Sequence, residues 1–191
     1  MSKPANRTTA LRLSANCNIP RGSPSILVIM GVSGSGKTTI GQLLSAKLAY
    51  PFIEGDDFHP PMNIKKMSSG EALTDIDRWP WLEILADKIQ ESIQQKQSAV
   101  LTCSALKKSY RRVLCVEKQL VQFIYLKGDY ITIERRIQSR ESHFMTKSLL
   151  QSQFDTLEEP DDAMVVDIRL SPFEILESIR DLLHLNAGPD I

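Results

Sequence analysis

Residues 31–38 read GVSGSGKT and fill every fixed position of the pattern G-x-x-x-x-G-K-[ST]. The stretch follows an apolar run, SILVIM at residues 25–30, and precedes apolar residues at helical spacing. Its glycines let successive backbone N–H groups curl around a phosphate, and the helix that follows adds its unpaired N-terminal donors. Together these features predict a phosphate-binding loop between a strand and a helix, and therefore a nucleotide-binding protein.

The side chains of this loop have separate chemical tasks. Lys37 carries a mobile charge suited to the β- and γ-phosphates, and the Thr38 hydroxyl is a suitable ligand for Mg²⁺. ATP and Mg²⁺ are therefore the predicted cofactors. The residues expected to bind the nucleotide are Gly31, Ser33, Gly34, Ser35, Gly36, Lys37, Thr38 and Thr39.

The composition of the 191-residue chain fits one domain of ordinary size and excludes several classes of protein. Lys and Arg total 23 and Asp and Glu total 23, so nothing predicts a general attraction to nucleic acid or to anionic membranes. The apolar runs are much shorter than the roughly 20 residues of a membrane span. Three cysteines without a C-x-x-C pair argue against a disulfide framework and favour a cytoplasmic location.

The first 24 residues differ from the rest, because they contain four basic residues and no acidic one. We interpret residues 1–24 as a disordered basic tail. An organelle transit peptide has a similar composition and is the second interpretation. The folded domain is predicted to span residues 25–187, followed by a short tail at 188–191.

Five short apolar runs alternate with helical patterns, which is typical of a parallel α/β sheet. The last three runs are almost continuously apolar, as in strands that are covered on both faces. Helices are expected after Gly36, from an Asp77 cap, at 107–117, at 130–140 and after Ser171, where Glu174 completes a capping box. The sequence thus predicts a three-layer α/β domain. Its expected strands are residues 25–30, 51–54, 99–103, 121–127 and 163–168.

Two long polar segments interrupt this alternation, at residues 55–78 and 141–160. Insertions of this kind commonly carry function, and we expect a substrate flap and a lid. The N-K-x-D and D-x-x-G patterns of a GTPase are absent, and the strand at 99–103 continues into SALK without the Asp of a motor ATPase. These observations favour a small-molecule kinase.

Several short blocks resemble the gluconokinase family of the thermoresistant type, which is related to the shikimate kinases. The most diagnostic are DDFHP at residues 56–60 and CSALKK at 103–108. Weaker blocks also occur, and all the blocks are in the order of the family pattern. Among the weaker ones are NIKKM at 63–67, HF at 143–144, QF at 153–154 and TLE at 156–158. The resemblance covers the chain from residue 26 to the last helix. It implies a P-loop kinase fold, a homodimer, and transfer of the γ-phosphate of ATP to the 6-hydroxyl of D-gluconate.

The chain departs from the family pattern at two positions. Glu54 stands where the family usually has Asp, so a contact with Mg²⁺ through water would need room for one more methylene. Ser142 replaces the usual Gly before His143, and we expect a stiffer lid. Neither change removes a functional group.

The predicted catalytic residues are Lys37, Asp56, Arg136 and Arg140. Asp56 follows the second strand, at the edge where parallel α/β sheets bind their ligands, and could accept or orient the proton of the 6-hydroxyl. Arg136 and Arg140 lie four residues apart on one helix face, where one could act on ATP as an arginine finger. The alternatives are a turn-capping Asp and a solvated basic face.

A flexible sugar acid needs a cation and many hydrogen-bond donors. Arg78 can hold a carboxylate in bidentate fashion, and further contacts are expected from His59, Lys66, Ser104 and Lys107. For His59 the alternative is a structural role beside Pro60, and for Lys66 it is a solvated helix face. Lys107 opens a helix, where a basic residue opposes the dipole, and this placement favours a functional task. A kinase for shikimate or another sugar acid, and a nucleotide-binding regulator without turnover, are the competing functions.

Overall fold

The computed structural model of the chain describes residues 22–139 and 146–187. Its sheet has five strands in the order β2-β3-β1-β4-β5, and every neighbouring pair is parallel. The strands are β1 (Ile26–Met30), β2 (Phe52–Glu54), β3 (Ala99–Thr102), β4 (Val121–Lys127) and β5 (Met164–Asp167). The five predicted strands are confirmed, with bounds shifted by one residue at most.

Seven helices connect and cover these strands within the described residues, and a short 3₁₀ turn at Gly55–Phe58 follows β2. The helices are α1 (Lys37–Leu48), α2 (Pro61–Ser68), α3 (Asp75–Gln94), α4 (Lys108–Leu114), α5 (Tyr130–Gln138), α6 (Lys147–Thr156) and α7 (Pro172–Ala187).

Both faces of the sheet are covered, because successive side chains of a strand point to opposite sides. In β1, Ile26 and Val28 join a core formed with α3 and α4, whereas Leu27 and Ile29 join a core formed with α1, α5 and α7. All four side chains are fully buried. The predicted three-layer α/β fold is confirmed.

Helix ends follow the capping chemistry of the sequence, with one correction. Glu174 and Ser171 form the predicted box, in which the Ser171 amide donates to the Glu174 carboxylate at 2.8 Å. The N-cap of α3 is Thr74, not Asp77. Asp77 is the third helical residue, and its carboxylate receives the Thr74 amide at 2.8 Å. The helix therefore begins earlier than predicted, and Pro80 lies beyond its first turn.

The two polar segments take different forms. Residues 55–78 contain the 3₁₀ turn, α2 and the start of α3, and of the segment 141–160 the described part contains α6. Residues 1–21 of the tail predicted at 1–24 lie outside the described residues. The same is true of the predicted tail at 188–191 and of Arg140, Ser142 and His143. Among the helices that are described, none is long and apolar enough to cross a membrane.

Candidate active site

A cavity of about 660 Å³ opens at the carboxyl edge of the sheet. Its walls come from the loop after β1, the turn after β2, the loop after β3, and helices α2, α3 and α6. This volume is in the range of small-ligand sites. The predicted site residues that line it are Ser33, Gly34, Gly36, Lys37, Thr38, Thr39, Asp56, His59, Arg78 and Ser104.

The glycines of the phosphate loop are required by its shape. Gly34 and Gly36 have φ of 81° and 100°, a region that side chains disfavour. A Cβ on Gly34 would also lie 2.7 Å from Cγ1 of Ile137 in α5. The loop therefore packs closely against α5 on one side, and its backbone faces the cavity on the other.

Neighbouring segments hold the loop in place. The Gly31 amide donates to the Ser104 carbonyl at 3.3 Å, which joins the loops that follow β1 and β3. Nζ of Lys37 donates to the Val32 carbonyl at 3.3 Å. From α6, the Gln153 carboxamide makes two hydrogen bonds to Ser33. The phosphate loop is therefore held by the loop after β3, by α6 and by its own lysine.

Asp56 and His59 face each other at the mouth of the turn after β2. Nε2 of His59 lies 3.9 Å from Oδ1 of Asp56, whose side chain is 67% exposed to the cavity and solvent. The His59 ring stacks on Trp81, with 4.0 Å between the ring centroids. Nε1 of Trp81 donates to the Gly55 carbonyl at 2.8 Å and so anchors the turn that carries Asp56. The turn that carries Asp56 is therefore anchored to α3 through Trp81.

The environment of His59 favours the neutral imidazole. Burial lowers its pKa and Arg78 lowers it further, whereas Asp56 acts in the opposite direction. Nδ2 of Asn63 donates to the Asp77 carbonyl at 2.8 Å and lies 3.5 Å from Nδ1 of His59. An amide nitrogen is a donor, so Nδ1 accepts and the ring proton is placed on Nε2, toward Asp56.

Arg78 is a buried cation, 8% exposed, in the wall of the cavity. Nη1 donates to the Tyr110 hydroxyl at 3.3 Å. That hydroxyl donates to Oδ1 of Asp75 at 2.5 Å, and both Asp75 oxygens lie 2.8 Å from Nζ of Lys107. The Lys107 and Tyr110 contacts hold the pKa of Asp75 below its usual range. Because Asp75 is neutralised by Lys107, the charge of Arg78 remains available to a ligand.

Both lysines predicted to contact substrate are engaged elsewhere. Lys107 pairs with Asp75, and Nζ of Lys66 lies 2.7 and 2.9 Å from the carboxylate oxygens of Asp77. The Lys66 contact is the main cause of the low pKa of Asp77, about 2. Neither lysine lines the cavity. In this arrangement Lys66 links α2 to the first turn of α3, and Lys107 links the residue before α4 to the same turn.

Arg136 lies on α5 beside the phosphate loop. Nη1 is 4.0 Å from the position of a Cβ built on Gly36, and Nη2 donates to the Ile168 carbonyl after β5. The guanidinium therefore reaches the loop where phosphates would bind. Its predicted companion, Arg140, lies outside the described residues.

The residues around Thr38 suit a magnesium ion that is held mainly by phosphate and water. Thr38 is exposed in the cavity at the start of α1. Glu54 ends β2 at the same sheet edge, its Oε1 accepts from the Thr102 hydroxyl, and its Oε2 is buried without a hydrogen-bond partner among the described residues. An unpaired carboxylate oxygen fits a hydrated cation. Across residues 22–139 and 146–187, no three acidic, Cys or His side chains form a metal cluster.

Sequence reasoning did not assign roles to several residues of the site. Gln153 belongs to the QF block, but its partner Ser33 lies 120 residues away, and Tyr110 lies 32 residues from its partner Arg78. The role of Thr74 as the N-cap of α3 could have been predicted, since T-x-x-D is a capping pattern. Ile64, Met67 and Leu149 form an apolar wall of the cavity that no local pattern indicates.

The parallel sheet, the glycine-rich loop before α1 and the cavity beside it define a P-loop kinase of small-molecule type. The shikimate kinase family model matches residues 33–167. A gluconokinase from Gluconobacter oxydans is 46% identical over 86% of this chain and 93% of its own.

Two solved structures support the same assignment. A sugar kinase from Janibacter has 45% identity and a TM-score of 0.78, with 87% of this chain and 96% of that chain covered. A gluconokinase from Sinorhizobium meliloti has 39% identity and a TM-score of 0.76, with 86% and 98% covered. The chain therefore belongs to the gluconokinase family, within the wider group that the shikimate kinase model describes.

Proposed function

We propose that this protein transfers the γ-phosphate of ATP to the 6-hydroxyl of D-gluconate. The similarity to gluconokinases over most of the chain supports this reaction. In the transfer, the bond between the γ-phosphorus and the β–γ bridging oxygen breaks, and a bond from the acceptor oxygen to phosphorus forms. ADP leaves, and the hydroxyl proton passes to a carboxylate or to water.

One observation carries the choice of an acidic acceptor. The guanidinium of Arg78 is buried in the cavity wall and forms no ion pair with any residue that the structure describes. A buried cation without a counter-charge is unfavourable unless a ligand supplies one. We infer that the carboxylate of gluconate is that ligand, held by the planar donors of Arg78. A neutral sugar would leave the cation unpaired.

The donor side of the proposed reaction uses the phosphate loop. The loop amides and Lys37 bind the phosphates, and Arg136, beside Gly36, neutralises charge that accumulates on the transferred group. Mg²⁺, held by Thr38 and through water by Glu54, would add charge neutralisation to this side. The apolar residues Ile137 and Leu149 in the cavity wall exclude water, which protects ATP from hydrolysis.

The acceptor side uses the carboxylate of Asp56. This carboxylate lies in the cavity and accepts no hydrogen bond from the residues that the structure describes, so it is available to orient the 6-hydroxyl and to take its proton. Because the transition state of phosphoryl transfer is loose, we expect the lower end of the usual range for a positioned base, about 10²-fold. His59, Ser104 and the neighbouring cavity wall remain predicted contacts for the polyol.

The test measures ADP release from Mg·ATP with D-gluconate, shikimate, neutral D-glucitol and no acceptor. We expect turnover of about 1–100 s⁻¹ with gluconate, little with glucitol, and none in Lys37→Ala. Arg78→Met should remove most of the preference for gluconate over glucitol. Equal rates with the acid and the neutral polyol would contradict the proposed role of Arg78.

Other outcomes would separate the competing functions. Turnover with another acid and none with gluconate would keep the kinase and change its substrate. ATP binding without turnover on any acceptor would favour a regulator. Unchanged turnover in both Arg136→Ala and Arg140→Ala would rule out the arginine finger. The expected homodimer and cytoplasmic location stay predictions, which sedimentation velocity and cell fractionation can test.

A further inference from the structure

The carboxamide of Gln153 in α6 makes a two-point contact with the phosphate loop. Oε1 accepts from the Ser33 amide at 2.7 Å, and Nε2 lies 3.1 Å from the Ser33 hydroxyl oxygen. Both residues line the cavity, together with Lys37 and Asp56. The contact thus lies beside the groups proposed to act on the transferred phosphate.

The chemistry of the donors fixes the direction of both hydrogen bonds. A backbone N–H can only donate, so the oxygen of the carboxamide must face the Ser33 amide. The carboxamide nitrogen then faces the Ser33 hydroxyl and must donate to it. A hydroxyl that accepts through a lone pair keeps its proton for another partner. Among the described residues, no acceptor receives that proton.

We propose that the Ser33 hydroxyl donates this hydrogen bond to an oxygen of the terminal phosphate of ATP, and that Gln153 is the residue that orients it. The charge of a loose phosphoryl-transfer transition state lies on the equatorial oxygens, where one more aligned donor is favourable. Without Gln153, the hydroxyl could rotate and its proton would no longer be directed. The inference rests on ATP binding in the proposed function, but it does not depend on the identity of the acceptor.

The test compares binding of two nucleotides by calorimetry, in Mg²⁺ and without any sugar acid. ADP lacks the terminal phosphate, whereas the non-hydrolysable β,γ-imido analogue of ATP contains it. For Ser33→Ala we expect the Kd of the analogue to rise about tenfold, with the Kd of ADP changed by less than about twofold. Gln153→Leu should act in the same direction, and the double variant should lose little more than Ser33→Ala alone.

Gln151→Leu is the matched control, because Gln151 is exposed on the same helix and bonds to Asp155 within it. We expect it to leave both Kd values unchanged. Equal weakening of ADP and the analogue in Ser33→Ala would show that the residue only shapes the loop and would overturn the proposal. An unchanged Kd for the analogue, or additive losses in the double variant, would overturn it as well.

The outcome separates this inference from the proposed function. If wild-type protein bound neither nucleotide, both would fail. If Ser33→Ala weakened binding of the analogue but not of ADP, and gluconate gave no turnover, only the proposed acceptor would be wrong. A kcat that falls in Gln153→Leu while the KM for gluconate stays constant would place the effect on the transferred phosphate.

Discussion

Arg78 and Tyr110 form one hydrogen-bonded unit, in which the phenol oxygen is the partner of the guanidinium among the residues that the structure describes. The guanidinium also lies 5.7 Å from the centroid of the Tyr110 ring. Because the phenol donates its own proton to Asp75, it presents a lone pair to Arg78 and fixes the orientation of the guanidinium. The guanidinium that we propose as the partner of the substrate carboxylate is therefore aligned before any ligand binds.

Removal of this hydroxyl should weaken recognition of the sugar acid. In Tyr110→Phe we expect the KM for gluconate to rise about tenfold, since a hydrogen bond to a charged group is lost. The KM for ATP should not change. Steady-state kinetics with each substrate varied in turn provides the measurement.

Tyr125→Phe is the control for that variant. Tyr125 is also a buried tyrosine, 3% exposed, but its hydroxyl interacts with Glu159 away from the cavity lining. It should lose similar stability and keep its KM for gluconate. A parallel rise of both KM values in Tyr110→Phe would mean that the hydroxyl supports the fold rather than Arg78.

Arg111→Met should destabilise the protein by about 3 kcal/mol, because it removes the donor to the Ala105 and Glu158 carbonyls. The Leu106 carbonyl keeps the Glu158 amide as a donor at 2.9 Å. Nη1 of the buried Arg111 donates to Ala105, Leu106 and Glu158 at 3.0, 3.2 and 3.1 Å. Arg112→Met is the matched control, since Arg112 is exposed, and its effect should stay within about 0.5 kcal/mol. Urea unfolding of both variants measures the difference, and equal midpoints would contradict it.

Stability should fall below neutral pH because of His59. Its pKa is lowered by burial, so the unfolded chain, with an ordinary pKa of 6.5, binds the proton more readily. The contribution of the neutral ring is therefore complete above pH 6.5 and is lost as the pH falls toward the folded pKa. Through this one group, the free energy of unfolding can change by at most about 1.4 kcal/mol per pH unit.

The free energy of unfolding at pH 7.5 and pH 5.5 tests this expectation. Wild-type protein should lose more stability over the interval than His59→Gln, which cannot titrate at this position. Asp56 and Arg78 are the charged groups that face the ring, and both are unchanged in the variant. The difference between the two proteins therefore reports on His59 itself. An identical loss in the two proteins would mean that His59 does not carry the pH dependence.

Cys103 should resist alkylation in the folded protein. It is fully buried, and burial raises its pKa to about 12, which suppresses the reactive thiolate. Peptide mapping after iodoacetamide treatment at pH 8 should find Cys103 unmodified in buffer and modified in urea. Labelling in buffer would show that the end of β3 opens readily.

The strands and the phosphate loop could be predicted because their signals are local. An apolar run such as residues 121–127 can bury both faces only within a covered sheet, and the loop glycines allow the positive φ that the phosphate loop requires. The capping box at Ser171 is equally local, since its two partners lie three residues apart. Such contacts need no knowledge of the tertiary structure.

The partners of the charged residues could not be predicted in this way. Lys107 pairs with Asp75 across 32 residues, and Lys66 with Asp77 across 11. Which carboxylate a flexible ammonium reaches depends on how α2, α3 and α4 pack, and sequence spacing contains no such information. The same holds for Gln153, whose role follows only once α6 is placed against the loop.

The sheet order places the two halves of the proposed site on opposite flanks of β1. The flank with β2 and β3 carries Asp56 and Arg78, and the flank with β4 and β5 carries Arg136 and Gln153. Substitutions in the cavity wall of one flank need not disturb the other, because the flanks meet at the loop after β1 and, outside the cavity lining, where the Glu158 amide donates to the Leu106 carbonyl at 2.9 Å. The specificity for the phosphate acceptor could therefore change in evolution while the nucleotide-binding half stays the same. Engineering of a new acceptor specificity could likewise be confined to the flank with β2 and β3.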